Sequence, residues 1–180
     1  MSSLFTTVLA SFTVLGQIGI VAGIIFLFIR KQDRKSNCFL KLVEEYALFI
    51  IFSVSLTGTL LSLYYSDYIG LEPCVLCWWQ RIFLYPQVIL AGIATWKNDR
   101  NIFLYSLWLS IIGAVISGYQ SLLQYGVSSP LPCAAGGTAV SCAKVYFMEF
   151  GYITIPLMAF TAFLITAGAA YIGYRGNKIK

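Results

Sequence analysis

Five apolar stretches, each close to the length that crosses a lipid bilayer as a helix, constrain this chain more than any other feature. They are residues 5–29, 44–66, 80–96, 101–123 and 152–173. A bilayer core takes about 20 apolar residues per helix. The chain is 59% hydrophobic and 11% charged, whereas a soluble domain is about 25% charged. We therefore predict an all-α integral membrane protein that forms one domain over residues 1–180.

Basic residues predict the topology of these helices. Ten of the 12 lie in the segments that would face the cytoplasm, 30–43, 97–100 and 174–180. Short loops rich in Lys and Arg stay in the cytoplasm, so we predict the amino terminus outside and the carboxyl terminus inside. Segments 67–79 and 124–151 then become outer loops, and residues 143–150 could form a short amphipathic helix. The first stretch has no basic residue before it, so we expect a retained helix rather than a signal peptide.

Four of the 5 cysteines fall in these outer loops, where disulfides can form and persist. Cys74 and Cys77 are three residues apart, and a bridge between them closes too small a loop to be an effective staple. This pair therefore favours redox chemistry. Cys133 and Cys142 alone are equally compatible with a structural disulfide, and a tetrathiolate zinc site is a further alternative. Cys38 falls on the cytoplasmic side, and we expect it to be a bystander.

The first pair lies just before the third stretch, where a helix amino terminus favours thiolate. Arg81 follows Cys77 by four residues, so both would face the same way on a helix. A guanidinium there could hydrogen-bond a carbonyl acceptor and stabilise negative charge on it, with Gln80 acting more weakly. The alternative for Arg81 is snorkelling to lipid phosphates. The chain has no histidine to hold haem or metal, so we predict a lipid-soluble two-electron acceptor, a quinone.

The eight residues from Cys74 to Arg81 (CVLCWWQR), the second outer pair and the four stretches over 44–173 resemble the DsbB family of bacterial disulfide-forming membrane oxidoreductases. The resemblance implies a four-helix transmembrane core in the bacterial cytoplasmic (inner) membrane, with 5–29 as an additional N-terminal helix. It also implies a thiol:quinone oxidoreductase. Such an enzyme reoxidises a soluble DsbA-like thiol oxidase and passes the electrons to ubiquinone or menaquinone.

The resemblance also implies a role for each site residue. Cys133 would be attacked by the reduced partner, and Cys142 would be its partner in a loop disulfide. Cys74 would exchange with that pair, and Cys77 would meet the quinone with Arg81 beside the ring.

Two other interpretations compete with this one. A vitamin K epoxide reductase-like enzyme also couples a Cys-X-X-Cys to a quinone, but that family places the motif after the loop pair. A non-enzymatic multispan scaffold with structural outer disulfides would leave the short spacing of thiols and cation unexplained.

Overall fold

The computed structural model describes residues 2–29, 38–127 and 141–177, which form five α-helices and their connections. The helices are α1 (Ser2–Ile29), α2 (Cys38–Leu63), α3 (Val75–Lys97), α4 (Ile102–Gln124) and α5 (Ile155–Asn177). A π-helical turn, Tyr64–Tyr68, continues α2. No β-strand occurs among the described residues. The predicted all-α fold is confirmed.

Four of the five described helices are long and apolar enough to cross a membrane, which makes this a multi-pass membrane protein. The qualifying segments are Thr6–Gly23, Lys41–Tyr68, Ile102–Gln124 and Ile155–Asn177. The predicted third span is helical as well, but α3 is not among the four. Its apolar sequence is interrupted by Gln80, Arg81 and Gln87, two of which are buried.

Helices α2 to α5 form a closed ring in which each helix packs against two others, and α1 packs against α5 outside this ring. Consecutive helices in the ring run in alternating directions. This is the up-and-down arrangement of a four-helix bundle. The predicted core with one additional N-terminal helix is therefore confirmed.

Small and polar residues bring the helices of the ring close together, as is usual inside membranes. A Cβ at Gly113 in α4 would overlap with the ring of Phe163 in α5, so glycine permits this contact. The Gln87 Oε1 atom accepts hydrogen bonds from the hydroxyls of Ser106 and Ser110, both 3.1 Å long. Buried polar groups in a bilayer must find partners inside the protein, and this cluster supplies them between α3 and α4.

Segment 143–150 is not helical, and the prediction of an amphipathic helix there was wrong. Glu149 and Ile153 form an isolated bridge with two backbone hydrogen bonds of 2.9 Å. The chain reverses between them through Phe150 and Gly151, whose φ angles are +52° and +77°. The Glu149 carboxylate accepts hydrogen bonds from α1. This turn and its contacts to a distant helix outweigh the local preference of the segment.

One end of the ring gathers both of the predicted outer segments, as far as they are described. The amino end of α3 lies there with the carboxyl ends of α2 and α4. Tyr146 from the second segment donates a hydrogen bond of 2.7 Å to the carbonyl of Glu72 in the first. An ion pair of 3.6 Å between Arg100 and Glu44 lies at the opposite end. The predicted topology requires the outer segments to lie at one end of the bundle and the cytoplasmic connections to lie at the other.

Candidate active site

The first cysteine pair lies at the amino end of α3. Pro73 precedes it, and Cys74 is the extended residue just before the helix, with φ −74° and ψ 173°. Cys77 lies in the first turn, and the two sulfurs are 3.2 Å apart. Cys74 is 4% exposed, while Cys77 is half-buried. Both thiols therefore lie where the positive end of the helix dipole stabilises a thiolate.

Gln120 of α4, a residue that the sequence analysis did not single out, contacts both sulfurs. Its amide nitrogen lies 3.2 Å from the sulfur of Cys74 and 3.3 Å from that of Cys77. The side chain is 2% exposed. The one feature of the sequence that could have indicated Gln120 is that it is a polar residue near the end of an apolar stretch. A polar residue in a membrane helix often has a function.

The contact between the two thiols shifts their pKa values in opposite directions. The hydrogen bond from Cys74 lowers the pKa of Cys77 to about 6, although burial opposes this; the Gln120 amide and the Arg81 charge lower it as well. The same contact and burial raise the pKa of Cys74 above its usual range. Both residues precede the apolar segment 80–96. These opposite shifts favour Cys77 as the thiolate of the pair and Cys74 as the thiol that keeps its proton.

Arg81 is fixed one helical turn beyond Cys77 by contacts to the end of α2. Its Nε atom donates to the Ser62 hydroxyl at 3.0 Å, and Nη2 donates to the Ser62 carbonyl at 3.1 Å. The guanidinium also lies over the ring of Trp78, 5.2 Å from its centroid. A guanidinium has five N–H donors. This cation is therefore held in one position while donors remain for another group.

Gln80, predicted as a weaker donor to the acceptor, is engaged elsewhere in the site. Its Nε2 atom donates a hydrogen bond of 2.6 Å to Oε1 of Gln120, and both side chains are buried. This bond orients the Gln120 amide so that its nitrogen faces the sulfurs. Gln80 thus acts on the thiols through Gln120 in this geometry.

The second cysteine pair is described in part. Cys142 is 1% exposed and packs with Cys74 and Leu123 in one buried cluster. Cys74, Cys77 and Cys142 are unpaired thiols in the described part of the chain. Cys133 and the predicted bridge to Cys142 lie outside the described residues. The structure therefore brings the carboxyl-terminal member of the second pair next to the buried member of the first.

A cavity of about 570 Å³ opens beside this cluster and is lined mainly by apolar side chains. Cys74, Cys77, Gln80 and Arg81 all contribute to its wall. Tyr65 of the π-helical turn contributes as well; it is 6% exposed, and its hydroxyl has no hydrogen-bond partner within the described part of the chain. Ligand pockets usually measure about 300–1,000 Å³ and combine apolar walls with a few polar groups. The cavity fits that description.

The sequence model of the family described as “Disulfide bond formation protein DsbB” matches residues 44–173. The chain belongs to the DsbB family. It is 44% identical over 129 residues to “Probable disulfide formation protein C 1” of Bacillus anthracis, an alignment that covers 72% of this chain and 92% of that protein. The alignment with “SPbeta prophage-derived disulfide bond formation protein B” of Bacillus subtilis (strain 168) has 41% identity over 119 residues, 66% of this chain and 79% of the relative.

A third relative comes from a different bacterial group. “Probable disulfide formation protein” of Chlamydia muridarum is 39% identical over 128 residues, which is 71% of this chain and 92% of that protein. No solved structure gives a significant match. This DsbB-family protein is therefore a membrane disulfide oxidoreductase that acts in disulfide bond formation. Membership in this family sets aside the vitamin K epoxide reductase-like and scaffold interpretations.

Proposed function

We propose that this protein is a thiol:quinone oxidoreductase that reoxidises a soluble DsbA-like thiol oxidase and passes the electrons to a membrane quinone. The observation that carries the proposal is the position of the Cys77 sulfur. It lies in the wall of a largely apolar cavity, beside the fixed cation of Arg81. A thiolate next to an apolar cavity and a cation suits an acceptor that is lipid-soluble and gains negative charge.

The buried contact between Cys142 and Cys74 supports a relay from the second pair to the first. Oxidation of one partner dithiol to a disulfide releases two electrons and two protons. Cys133 receives the attack of the partner, and Cys142 is displaced as a thiolate.

Cys142 then attacks Cys74 of the Cys74–Cys77 disulfide, which forms a Cys142–Cys74 bond and releases Cys77 as the leaving thiolate. The Gln120 amide and the Arg81 charge, which lower the pKa of Cys77, favour this step, because a thiol of low pKa leaves more readily. The second thiol of the partner attacks its bond to Cys133 and leaves the partner as a disulfide. The freed Cys133 re-forms its bond to Cys142, which leaves Cys74 and Cys77 as the reduced pair.

The lining of the cavity fits the head group of a quinone. Arg81 keeps unused N–H donors after its two bonds to Ser62. The Tyr65 hydroxyl is a buried donor without a partner among the described residues, and such a group costs free energy until it is satisfied. A bound quinone would supply an acceptor for two electrons and two protons, with two carbonyl oxygens for these donors. Ubiquinone and menaquinone both meet this requirement.

Localisation follows from the distribution of basic residues and from the redox chemistry. We place the cysteine end of the bundle on the extracytoplasmic side of the bacterial cytoplasmic membrane, with the amino terminus outside and the carboxyl terminus inside. Ten of the 12 basic residues lie in the segments assigned to the cytoplasm, and disulfides persist outside it. The partner then meets Cys133 in the aqueous phase.

Turnover under argon, with and without added quinone, tests the proposal. The purified protein, freed of bound lipid, is mixed with an excess of a reduced DsbA-like protein, and the partner disulfides are counted. Without quinone, oxidation should stop at about one disulfide for each cysteine pair; with quinone it should continue until the quinone is consumed. A partner that stays reduced while quinone is present would refute the function.

A further inference from the structure

Helix α1 supplies part of the wall of the cavity next to the redox site. Leu9, Phe12 and Thr13 line this cavity together with Cys77 and Arg81. The match to the DsbB family begins at residue 44, so this wall is an addition to the family core. Helix α1 therefore adds cavity-lining side chains that the family core alone does not supply.

Packing holds the middle of α1 against α5. A Cβ at Gly16 would lie 3.2 Å from the Ile165 side chain and 3.4 Å from that of Thr161, so the two helices approach closely there. The Gln17 amide donates a hydrogen bond of 3.3 Å to the Thr161 hydroxyl. Gln17 also accepts one of 3.1 Å from the Tyr152 hydroxyl. These contacts fix the rotation of α1 about its axis.

The amino end of α1 is tied to the segment that carries Cys142. The Thr6 hydroxyl donates to one carboxylate oxygen of Glu149 at 3.0 Å, and the Thr7 hydroxyl donates to the other at 3.4 Å. Thr6 is buried. With both its end and its middle anchored, α1 presents Leu9 and Phe12 to the cavity in a defined register.

The cavity is elongated along the bundle. On α2 its lining runs from Ser53 to Ser62, which spans about 14 Å of helix. On α5 it runs from Ile155 to Ile165, about 15 Å. Cys77 and the charged Arg81 lie at one end, and the lining further along consists of aliphatic side chains together with Ser53, Thr57 and Thr161. This elongated space fits a ligand with a polar head and a hydrocarbon tail.

We propose that the inner face of α1 binds the hydrocarbon tail of the membrane quinone, which makes Leu9, Phe12 and Thr13 specificity-determining residues. This inference rests on the proposed function, because the tail belongs to the acceptor whose head lies beside Cys77. Continuity of one cavity from the thiolate to α1 is its main support. Phe12 contributes to the cavity wall although it is 66% exposed, whereas Leu15, which is 64% exposed, does not line the cavity.

A pair of matched variants tests this assignment through kinetics. Leu9→Trp narrows the cavity, whereas Leu15→Trp makes the same change on the exposed face. Leu9→Trp should raise the KM for decyl-benzoquinone about tenfold, since this corresponds to roughly two methylene groups removed from apolar contact. The KM for benzoquinone without a tail should stay unchanged in both variants. An equal change for the two quinones, or an equal effect of the two variants, would overturn the assignment.

A binding measurement separates this inference from the proposed function. The probe is a benzoquinone whose decyl chain ends in a photoreactive diazirine, applied to the unmodified full-length protein. Labelling should fall within residues 9–13 of α1, should be competed by decyl-benzoquinone and should disappear in Leu9→Trp while persisting in Leu15→Trp. Label that resists competition and spreads to Leu15 would indicate ordinary lipid contact and overturn the inference. Absence of quinone turnover with specific labelling would refute the proposed function alone.

Discussion

The amide nitrogen of Gln120 lies 3.3 Å from the sulfur of Cys77. The two residues are 43 positions apart in the sequence and belong to different helices. Because the amide oxygen of Gln120 is engaged by Gln80, the nitrogen is oriented as a donor toward the sulfur. A donor to a thiolate favours the charged form, so α4 contributes directly to the reactivity of the thiol on α3.

Replacing Gln120 should therefore change the acidity of Cys77. The pKa of Cys77 is lowered to about 6, so the thiolate is present above that pH and is lost as the pH falls through it. Gln120→Leu should raise the midpoint by about one pH unit, since a hydrogen bond to a charged group contributes about 1.5–3 kcal/mol and one unit is about 1.4 kcal/mol. The measurement is the rate of iodoacetamide labelling of Cys77 in the reduced protein against pH.

Gln124→Leu is the control for that experiment. Gln124 lies one turn further along α4 and donates to the carbonyl of Lys144 rather than to a sulfur. The control should keep the midpoint of the unmodified protein. Equal midpoints in Gln120→Leu and the unmodified protein would show that Gln120 does not lower the pKa of Cys77.

Tyr65→Phe should weaken the binding of quinone. The change removes one buried hydroxyl from the cavity, and a hydrogen bond contributes about 0.5–1.5 kcal/mol, so the KM should rise about threefold to tenfold. The rate at saturating quinone should stay close to normal. Tyr85→Phe is a matched control, because the Tyr85 hydroxyl is also buried with no partner among the residues that the structure describes, but Tyr85 does not line the cavity. Identical kinetics in the two variants would argue against Tyr65 as a donor.

The order of the relay predicts different defects for two cysteine variants. Cys133→Ser should block oxidation of the DsbA-like partner, because the partner has no sulfur to attack. It should still allow dithiothreitol to reduce quinone through Cys74 and Cys77. Cys77→Ser should abolish both reactions. Partner thiols and quinone absorbance are followed in parallel, and normal partner oxidation by Cys133→Ser would show that the relay starts elsewhere.

Gly113→Ala should destabilise the bundle. The added methyl group meets the Phe163 ring, and overpacking of a core costs about 1–3 kcal/mol. Gly168→Ala is the control, since a Cβ there has no atom within 4 Å among the described residues outside the neighbouring backbone of its own helix, and alanine favours helix. Thermal unfolding in detergent should give a lower midpoint for Gly113→Ala than for Gly168→Ala. Equal midpoints would mean that α4 and α5 are not packed as described.

The helices could be predicted from the sequence because length and hydrophobicity in a bilayer are local properties. Their ends were less accurate: α2 begins at Cys38 rather than at 44, and α5 begins at Ile155 rather than at 152. The position of the Cys74 and Cys77 pair at a helix amino terminus also followed from the sequence, since the third apolar stretch begins directly after it.

The contacts between distant segments could not be predicted. Gln120 meets Cys77, and Glu149 meets Thr6, only because the bundle brings separate helices and loops together. No local pattern encodes either pairing. Glu149, which accepts hydrogen bonds from α1, also lies in the turn found where a helix was expected at 143–150. Tertiary contacts there outweigh the local preference for a helix.

The loss of quinone absorbance over time, with reduced DsbA-like partner and the purified protein under argon, tests the central claim most directly. One quinone should be reduced for each partner disulfide formed, and no quinone should be lost with Cys77→Ser even though that variant remains folded. Partner oxidation without quinone loss, or equal quinone loss in the Cys77→Ser variant, would contradict the claim that Cys77 passes electrons to a membrane quinone.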